Sequence, residues 1–216
     1  MFKKSFLTGT VVLIIVSFIA VSWAAELLPV KLLPPNLNSG KSLMQSLQAR
    51  KSSRDFSAKK LPVEVLSNLL WAACGINRQE SGKRTAPSAV NWQEIDVYVA
   101  MADGLYLYNA KEHFLKPVIK QDIRELTGKQ KFVKDAPVNL IYIADYSRMG
   151  HGNAEEKNSY SAADAAFIAQ NVYLYCASEG LATVVRGLID RDVLAKAMRL
   201  RDSQKVIFSQ TVGYPE

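Results

Sequence analysis

The chain has 216 residues, 49% of them hydrophobic and 22% charged, a balance that excludes a disordered or collagen-like protein. Its two cysteines allow neither a disulfide framework nor a four-cysteine zinc site. Its two histidines, His113 and His151, lack ligand-like spacing, which argues against metal-driven chemistry. The formal charge of +7, with Lys3 and Lys4 contributing, is dispersed along the chain; it suits small anionic ligands and speaks against nucleic acid.

Met1 to Lys4 is short and positive, Val11 to Val21 is almost continuously apolar, and Ser22-Trp23-Ala24 closes the run with small residues where a signal peptidase reads. Residues 1–24 therefore read as the signal peptide of an exported, periplasmic protein, the alternative being an uncleaved leader that tethers it to the membrane. No segment after the leader is apolar for long enough to span a bilayer. Residues 25–40, rich in proline, read as an extended arm or linker, and 41–216 as one domain. Leu43, Met44 and Leu47 predict a short helix within 42–50. Pro62 opens a second, whose apolar set Val65, Leu66, Leu69, Leu70 and Ala73 runs to Gly75. Residues 76–94 read as a long polar loop. Ile95 to Met101 alternates, Asp103-Gly104 predicts a hairpin turn into Leu105–Tyr108, and Phe114–Ile119 adds a third strand. A short helix over Gln121–Thr127 is stopped by Gly128, and Val138–Ala144 is a buried strand. Tyr160–Glu179 is the longest helix, closed by Gly180. Asp190 caps a helix to about Leu200, and Lys205–Val212 is the last strand. Cys74 and Cys176 could pair in an exported protein, but both fall in helical patterns, where cysteine behaves as a small buried hydrophobe. The intermixed elements define an α+β sandwich.

Three segments carry chemistry. In Arg50-Lys51-Ser52-Ser53-Arg54-Asp55-Phe56, cations and hydroxyls crowd together just past a helix; guanidinium forks and hydroxyls donate to phosphate oxygens, and an extended backbone aims Arg50, Ser52 and Arg54 to one side. The competing reading is a solvated basic turn. In Pro87-Ser88-Ala89-Val90-Asn91-Trp92-Gln93, amides and a hydroxyl suit a ligand edge that alternates carbonyl and N–H groups. At Glu179-Gly180-Leu181 the glycine is either a helix C-cap or a place where backbone N–H groups approach a planar ligand.

Taken in order, these segments resemble the nitroreductase superfamily of flavin mononucleotide (FMN) enzymes. Arg50, Ser52, Arg54 and Phe56 match its phosphate motif, and Pro87, Ser88, Asn91 and Gln93 its Pro-Ser-x-x-Asn-x-Gln loop. Asp164, Gln170, Asn171, Glu179, Gly180 and Leu181 match a helix leading to Glu-Gly-Leu, and Val212 to Pro215 match its closing strand. The stretch ending Ala86-Pro87-Ser88-Ala89 looks most like the branch that includes azoline dehydrogenases. The resemblance implies a central, mostly antiparallel sheet flanked by helices, and a homodimer with FMN in a groove at the subunit interface. Arg50, Lys51, Ser52 and Arg54 would hold the phosphate and ribityl end, Ser88, Asn91 and Gln93 would face the polar edge of the isoalloxazine, and Glu179 and Gly180 would lie beside flavin N5. The family's cation pair after Gly-Tyr-Pro has no counterpart before Glu216, which leaves Lys83, Arg84 or Arg186 to replace it; Arg186 is also a cation that would stabilise the reduced flavin near its pyrimidine ring. The expected activity is an FMN-dependent oxidoreductase passing hydride to a flat small-molecule acceptor, a nitroaromatic, quinone or azoline, in two half-reactions. The alternative is a non-catalytic flavin- or nucleotide-binding subunit of an envelope complex. Export makes NAD(P)H a doubtful donor.

Overall fold

The structure is a computed structural model that describes residues 26–216, so the segment read as a signal peptide lies outside the described residues. The arm contributes a two-residue strand, β1 (Val30–Lys31). Helix α1 (Leu43–Ala49) starts at a reciprocal cap between Ser42 and Gln45. In α2 (Val63–Cys74), Pro62 is the N-cap and not the first helical residue. The expected loop that follows is partly ordered: β2 (Ile76–Arg78) and β3 (Lys83–Arg84) form a small antiparallel hairpin, and Ala89–Asn91 make a 3-10 turn. The meander β4 (Ile95–Met101), β5 (Gly104–Asn109) and β6 (Phe114–Ile119) is as the alternation predicts. The helix expected at Gln121 is only a 3-10 turn, Arg124–Thr127. Strand β7 (Val138–Asp145) is buried at every position. Helix α3 (Ala154–Glu179) begins well before Tyr160, because Asn153 and Glu156 cap each other's backbone N–H groups. A strand absent from the sequence reading, β8 (Ala182–Arg186), follows. Helix α4 (Arg191–Met198), capped by Asp190, leads into β9 (Gln204–Gly213).

Seven strands form one sheet in the order β1-β6-β5-β4-β7-β9-β8, with every neighbouring pair antiparallel. Side chains alternate across a strand, and both faces of this sheet are covered. From β7, Val138, Leu140, Tyr142 and Ala144 join Leu66, Leu69 and Leu70 of α2 and Ile168 and Val172 of α3. Ile141 and Ile143 point the other way, onto Leu194 and Met198 of α4. That two-sided burial is why β7 reads as a continuous apolar run. Cys74 and Cys176 are both buried and unpaired. Burial pushes the Cys74 thiol up to about 11 and the Cys176 thiol higher still, so both behave as apolar fillers.

The arm is stitched down at several points. Leu33 N–H donates to Ser67 Oγ, Asn36 N–H to Asn68 Oδ1 and Lys41 N–H to Ser178 Oγ, while His113 Nε2 sits 2.9 Å from the Leu33 carbonyl oxygen. Gly40 crosses the end of α3 so closely that a Cβ would lie 2.1 Å from Ser178 Oγ, and its φ of +87° is itself left-handed. Gly40→Ala should therefore free the arm from α3 while the sheet stays folded, seen as faster proteolysis confined to residues 26–41 with a thermal midpoint within a few degrees of wild type.

Candidate functional site

After α1 the chain runs extended over residues 50–57 as a strap along the open edge of β8, with Ser53 N–H donating to the Thr183 carbonyl and Ser57 N–H to that of Tyr214. Phe56 is buried against Phe132, ring centroids 5.2 Å apart, and anchors the strap. On the side toward α3, Ser52 Oγ lies 2.8 Å from the Tyr173 hydroxyl and the Arg50 guanidinium 5.4 Å from the same ring. Tyr173, which the sequence analysis did not single out, also accepts from Val185 N–H and so ties strap, helix and sheet edge together. Lys41, Lys51, Ser53, Tyr173, Gly180 and Thr183 line a groove of about 310 Å³ at this point. None of Lys41, Arg50, Lys51 or Arg54 makes an ion pair among the described residues.

Gly180 is the helix C-cap, left-handed with φ +71°, and both its N–H and that of Leu181 donate to the Cys176 carbonyl. Those donors are consumed by the cap, so the reading in which they reach a ligand gives way to the C-cap reading. A Cβ on Gly180 would meet nothing within 4 Å, which leaves an open face beside the exposed Glu179.

The 87–93 loop sits farther up α3, at Asp164. Ala89 N–H donates to Asp164 Oδ2 and Gln93 N–H to Ser88 Oγ. The Gln93 amide donates to Asn91 Oδ1 and to the Gly82 carbonyl, so the two amides singled out from the sequence are paired with each other. Val90, Asn91 and Gln93 all have positive φ (52°, 56° and 49°), an uncommon conformation for which a β-branched residue is a true outlier. Such strain persists where the surroundings enforce it and concentrates at functional sites. Beneath the loop lies a cavity of about 230 Å³, with Ser88, Asn91 and Gln93 in its wall together with Arg84, Glu94 and Asp164. At roughly 1.5 Å per helical residue, Asp164 and Tyr173 place this cavity and the strap about 13–14 Å apart along α3.

Glu94 is completely buried; Ser88 Oγ donates to its Oε2, and Oε1 has no partner. Burial, with the charge of Asp164 acting in the same sense, pushes its carboxyl above the usual range, while its own backbone N–H and the Ser161 and Ser88 hydroxyls oppose the shift. The folded state thus holds this proton more tightly than the unfolded chain does, and the group costs stability as pH rises from about 4.3 through its folded value. Glu94→Gln should raise stability at neutral pH and flatten its decline over that range, measured by urea unfolding across pH. A variant less stable than wild type at neutral pH would contradict this.

Arg186, expected beside a cofactor, is enclosed by protein groups. It is 5% exposed, donating to the Thr127 carbonyl, Thr127 Oγ1 and Asn139 Oδ1, and it packs over the Phe132 ring. Its carbonyl and amide partners sit on segments far away in the chain, so nothing in the local sequence signals the burial. Lys83 and Arg84, also considered as replacement cations, do face the cavity under the loop.

With this geometry in place, comparison with known proteins defines the class. Residues 47–214 match the Nitroreductase family. A candidate nitroreductase of Ralstonia eutropha has a solved structure that superposes with a TM-score of 0.83 at 44% identity, covering 87% of this chain and 90% of that one. A candidate nitroreductase of Methanocaldococcus jannaschii is 29% identical over 163 residues, 71% of this chain and 82% of that protein. The Escherichia coli microcin synthetase McbBCD complex, solved with truncated pro-MccB17 bound, contains a chain with the same fold, at a TM-score of 0.69 and 18% identity over 95% of this chain and 85% of that one. The chain belongs to the nitroreductase family, a family of oxidoreductases. Among the described residues no helix is long and apolar enough to cross a membrane.

Proposed function

We propose that the protein is an exported, homodimeric, FMN-dependent oxidoreductase that works in two half-reactions on a flat acceptor such as a quinone, nitroaromatic or azoline. The observation that carries this reading is the strap, where Arg50, Lys51 and Arg54, unpaired with carboxylates among the described residues, stand beside the Ser52 and Ser53 hydroxyls. Guanidinium, ammonium and hydroxyl donors are the set a phosphate monoester requires. The residues farther along α3 suit a ring: Ser88, Asn91 and Gln93 contribute a hydroxyl and two amides to the wall of the cavity beneath the loop. The two sets therefore fit the two ends of FMN, within one copy or across a pair of copies.

Bound FMN would supply the two-electron chemistry at N5. The protein's part is position and electrostatics. Arg50, Lys51, Ser52 and Arg54 would clasp the phosphate and ribityl end, the 87–93 loop would fix the ring's polar edge, and Glu179 and Gly180 would border the face that donor and acceptor share. Dimerisation would cover Leu43, Met44 and Leu47 of α1, which are 63%, 73% and 45% exposed and form an apolar patch beside the strap. The leader composition supports export. The NADPH:FMN oxidoreductase of Vibrio harveyi, solved with NAD+, shares the fold at a TM-score of 0.61 and 19% identity over 81% of this chain and 69% of that one. That likeness makes a nicotinamide donor worth testing alongside others.

The test is the absorbance of the purified protein, its uptake of FMN, and stopped-flow reduction of the bound flavin followed by reoxidation with a quinone or nitrofuran. A colourless protein that takes up no FMN ends the proposal. Reduction without reoxidation by any acceptor would leave the non-catalytic flavin-binding subunit.

A further inference from the structure

The arm carries a cation to the strap. Gly40 crosses the last turn of α3 so closely that a Cβ would lie 2.7 Å from Glu179 Oε1 as well as against Ser178. The next residue, Lys41, is fixed by its own N–H, which donates to Ser178 Oγ at 2.7 Å. Its exposed side chain lines the groove of about 310 Å³ that Lys51 and Ser53 of the strap also line, together with Gly180 and Pro215. Helix α1 separates Lys41 from Lys51 in the chain, and the docking of Gly40 on α3 returns them to one place. Two ammonium groups that share a groove repel each other, and an anion between them relieves the repulsion. Asp55 on the strap and Glu179 beside Gly40 are exposed, yet neither pairs with either lysine among the described residues. Other cations are engaged elsewhere. Lys59 Nζ lies 4.6 Å over the Tyr214 ring, Lys83 and Arg84 border the cavity beneath the 87–93 loop, and Arg186 is enclosed.

We infer that Lys41 is a ligand of the cofactor phosphate and that the arm is the clasp that delivers it. The inference rests on the FMN reading above and deepens it: two segments, the strap and the arm, make the phosphate end of the site. Lysine serves a phosphate as a point charge, so its contribution depends on where the backbone puts it. Gly40 and the Ser178 bond set that place before any ligand arrives, which spares binding part of the ordering cost. The coupling is reciprocal. If the docked arm tightens FMN, bound FMN holds the arm down by the same factor.

The test titrates wild type and variants with FMN and with riboflavin, which has the ring without the phosphate, and follows the arm by limited proteolysis. Lys41→Met keeps most of the stem and removes the charge. It should weaken FMN by about tenfold or more, the scale of a lost charge-assisted hydrogen bond, and leave riboflavin unchanged. Lys41→Arg should retain most of the affinity. Gly40→Ala should also weaken FMN alone, and adding Lys41→Met to it should cost little more, because both remove the same contact. FMN should slow cleavage within residues 26–41 of wild type, riboflavin should not, and the Lys41→Met protein should gain no protection from either. Lys41→Met protein that binds FMN as wild type does would overturn the inference and leave Lys41 a surface residue of the arm. Equal weakening of FMN and riboflavin would overturn it too, since the loss would not lie at the phosphate. Wild type that binds no flavin at all would instead overturn the FMN reading on which the inference rests.

Discussion

Replacing Arg50 and Arg54 together with alanine should weaken FMN binding by about two to four orders of magnitude and leave riboflavin binding almost unchanged. Each charge-assisted hydrogen bond to a phosphate is worth about 1.5–3 kcal/mol, and two of them, if additive, about 3–6 kcal/mol. The fold should tolerate the change. Both side chains are exposed, and the strap is held by Phe56 and by backbone bonds from Ser53 and Ser57, none of which involves the guanidinium groups. Arg50 does lose its place over Tyr173, a contact worth about 0.5–1 kcal/mol at an exposed site. Because these charges are exposed, wild-type affinity should fall with added salt and the double variant should show a shallower dependence. Titration at several salt concentrations, with circular dichroism as a folding control, decides the matter. Unchanged FMN affinity in the double variant would mean that the strap is the solvated basic turn after all.

The second large effect concerns stability. Arg186→Ala should cost about 2–4 kcal/mol, whereas Arg186→Met should cost less than about 1.5 kcal/mol. Alanine leaves a cavity beneath Phe132; methionine fills most of it. The groups that Arg186 serves keep other partners: the Thr127 carbonyl still accepts from Ser209 Oγ and Asn139 Oδ1 from Thr211 Oγ1. The charge, meanwhile, contributes little. Among the described residues no carboxylate pairs with it and its Nε is unpartnered, and burial pulls the guanidinium down to about 10. A base held below its unfolded value costs stability while protonated, throughout the neutral range, and the cost eases only as pH climbs past about 10. Methionine removes that cost. Urea unfolding gives both values, and FMN affinity of the methionine variant should equal wild type. An alanine variant as stable as wild type would mean that the packing around Phe132 collapses without loss.

Gly128 belongs to the same device. Its sequence context suggests a helix stop, yet its backbone is extended; what it provides is room, since a Cβ there would lie 1.9 Å from Arg186 Nη1. This is the kind of feature that the local pattern misstates. The polar first turns of α3 are another: Ala154 to Ser159 shows no apolar stripe, and only the Asn153–Glu156 cap marks the true start. Strand β8 was missed because its length is slight and two of its residues, Thr183 and Arg186, are polar and yet buried. Glu94 likewise looks like a solvated loop residue until the 87–93 turn and α3 close over it.

Period, caps and motif order belong to the amino-acid sequence alone, because each depends on neighbours a few positions apart. They determined β4 to β7, the ends of α3 and α4 at Gly180 and Asp190, the α+β class, and the crowding of cations and hydroxyls in the strap. Which charges are taken out of water depends instead on segments far apart in the chain meeting in space. Only the tertiary structure decided that Arg186 is enclosed by Thr127 and Asn139, that the N–H groups at Gly180 are spent on a helix cap, and that Arg84 and Glu94 come together around one cavity.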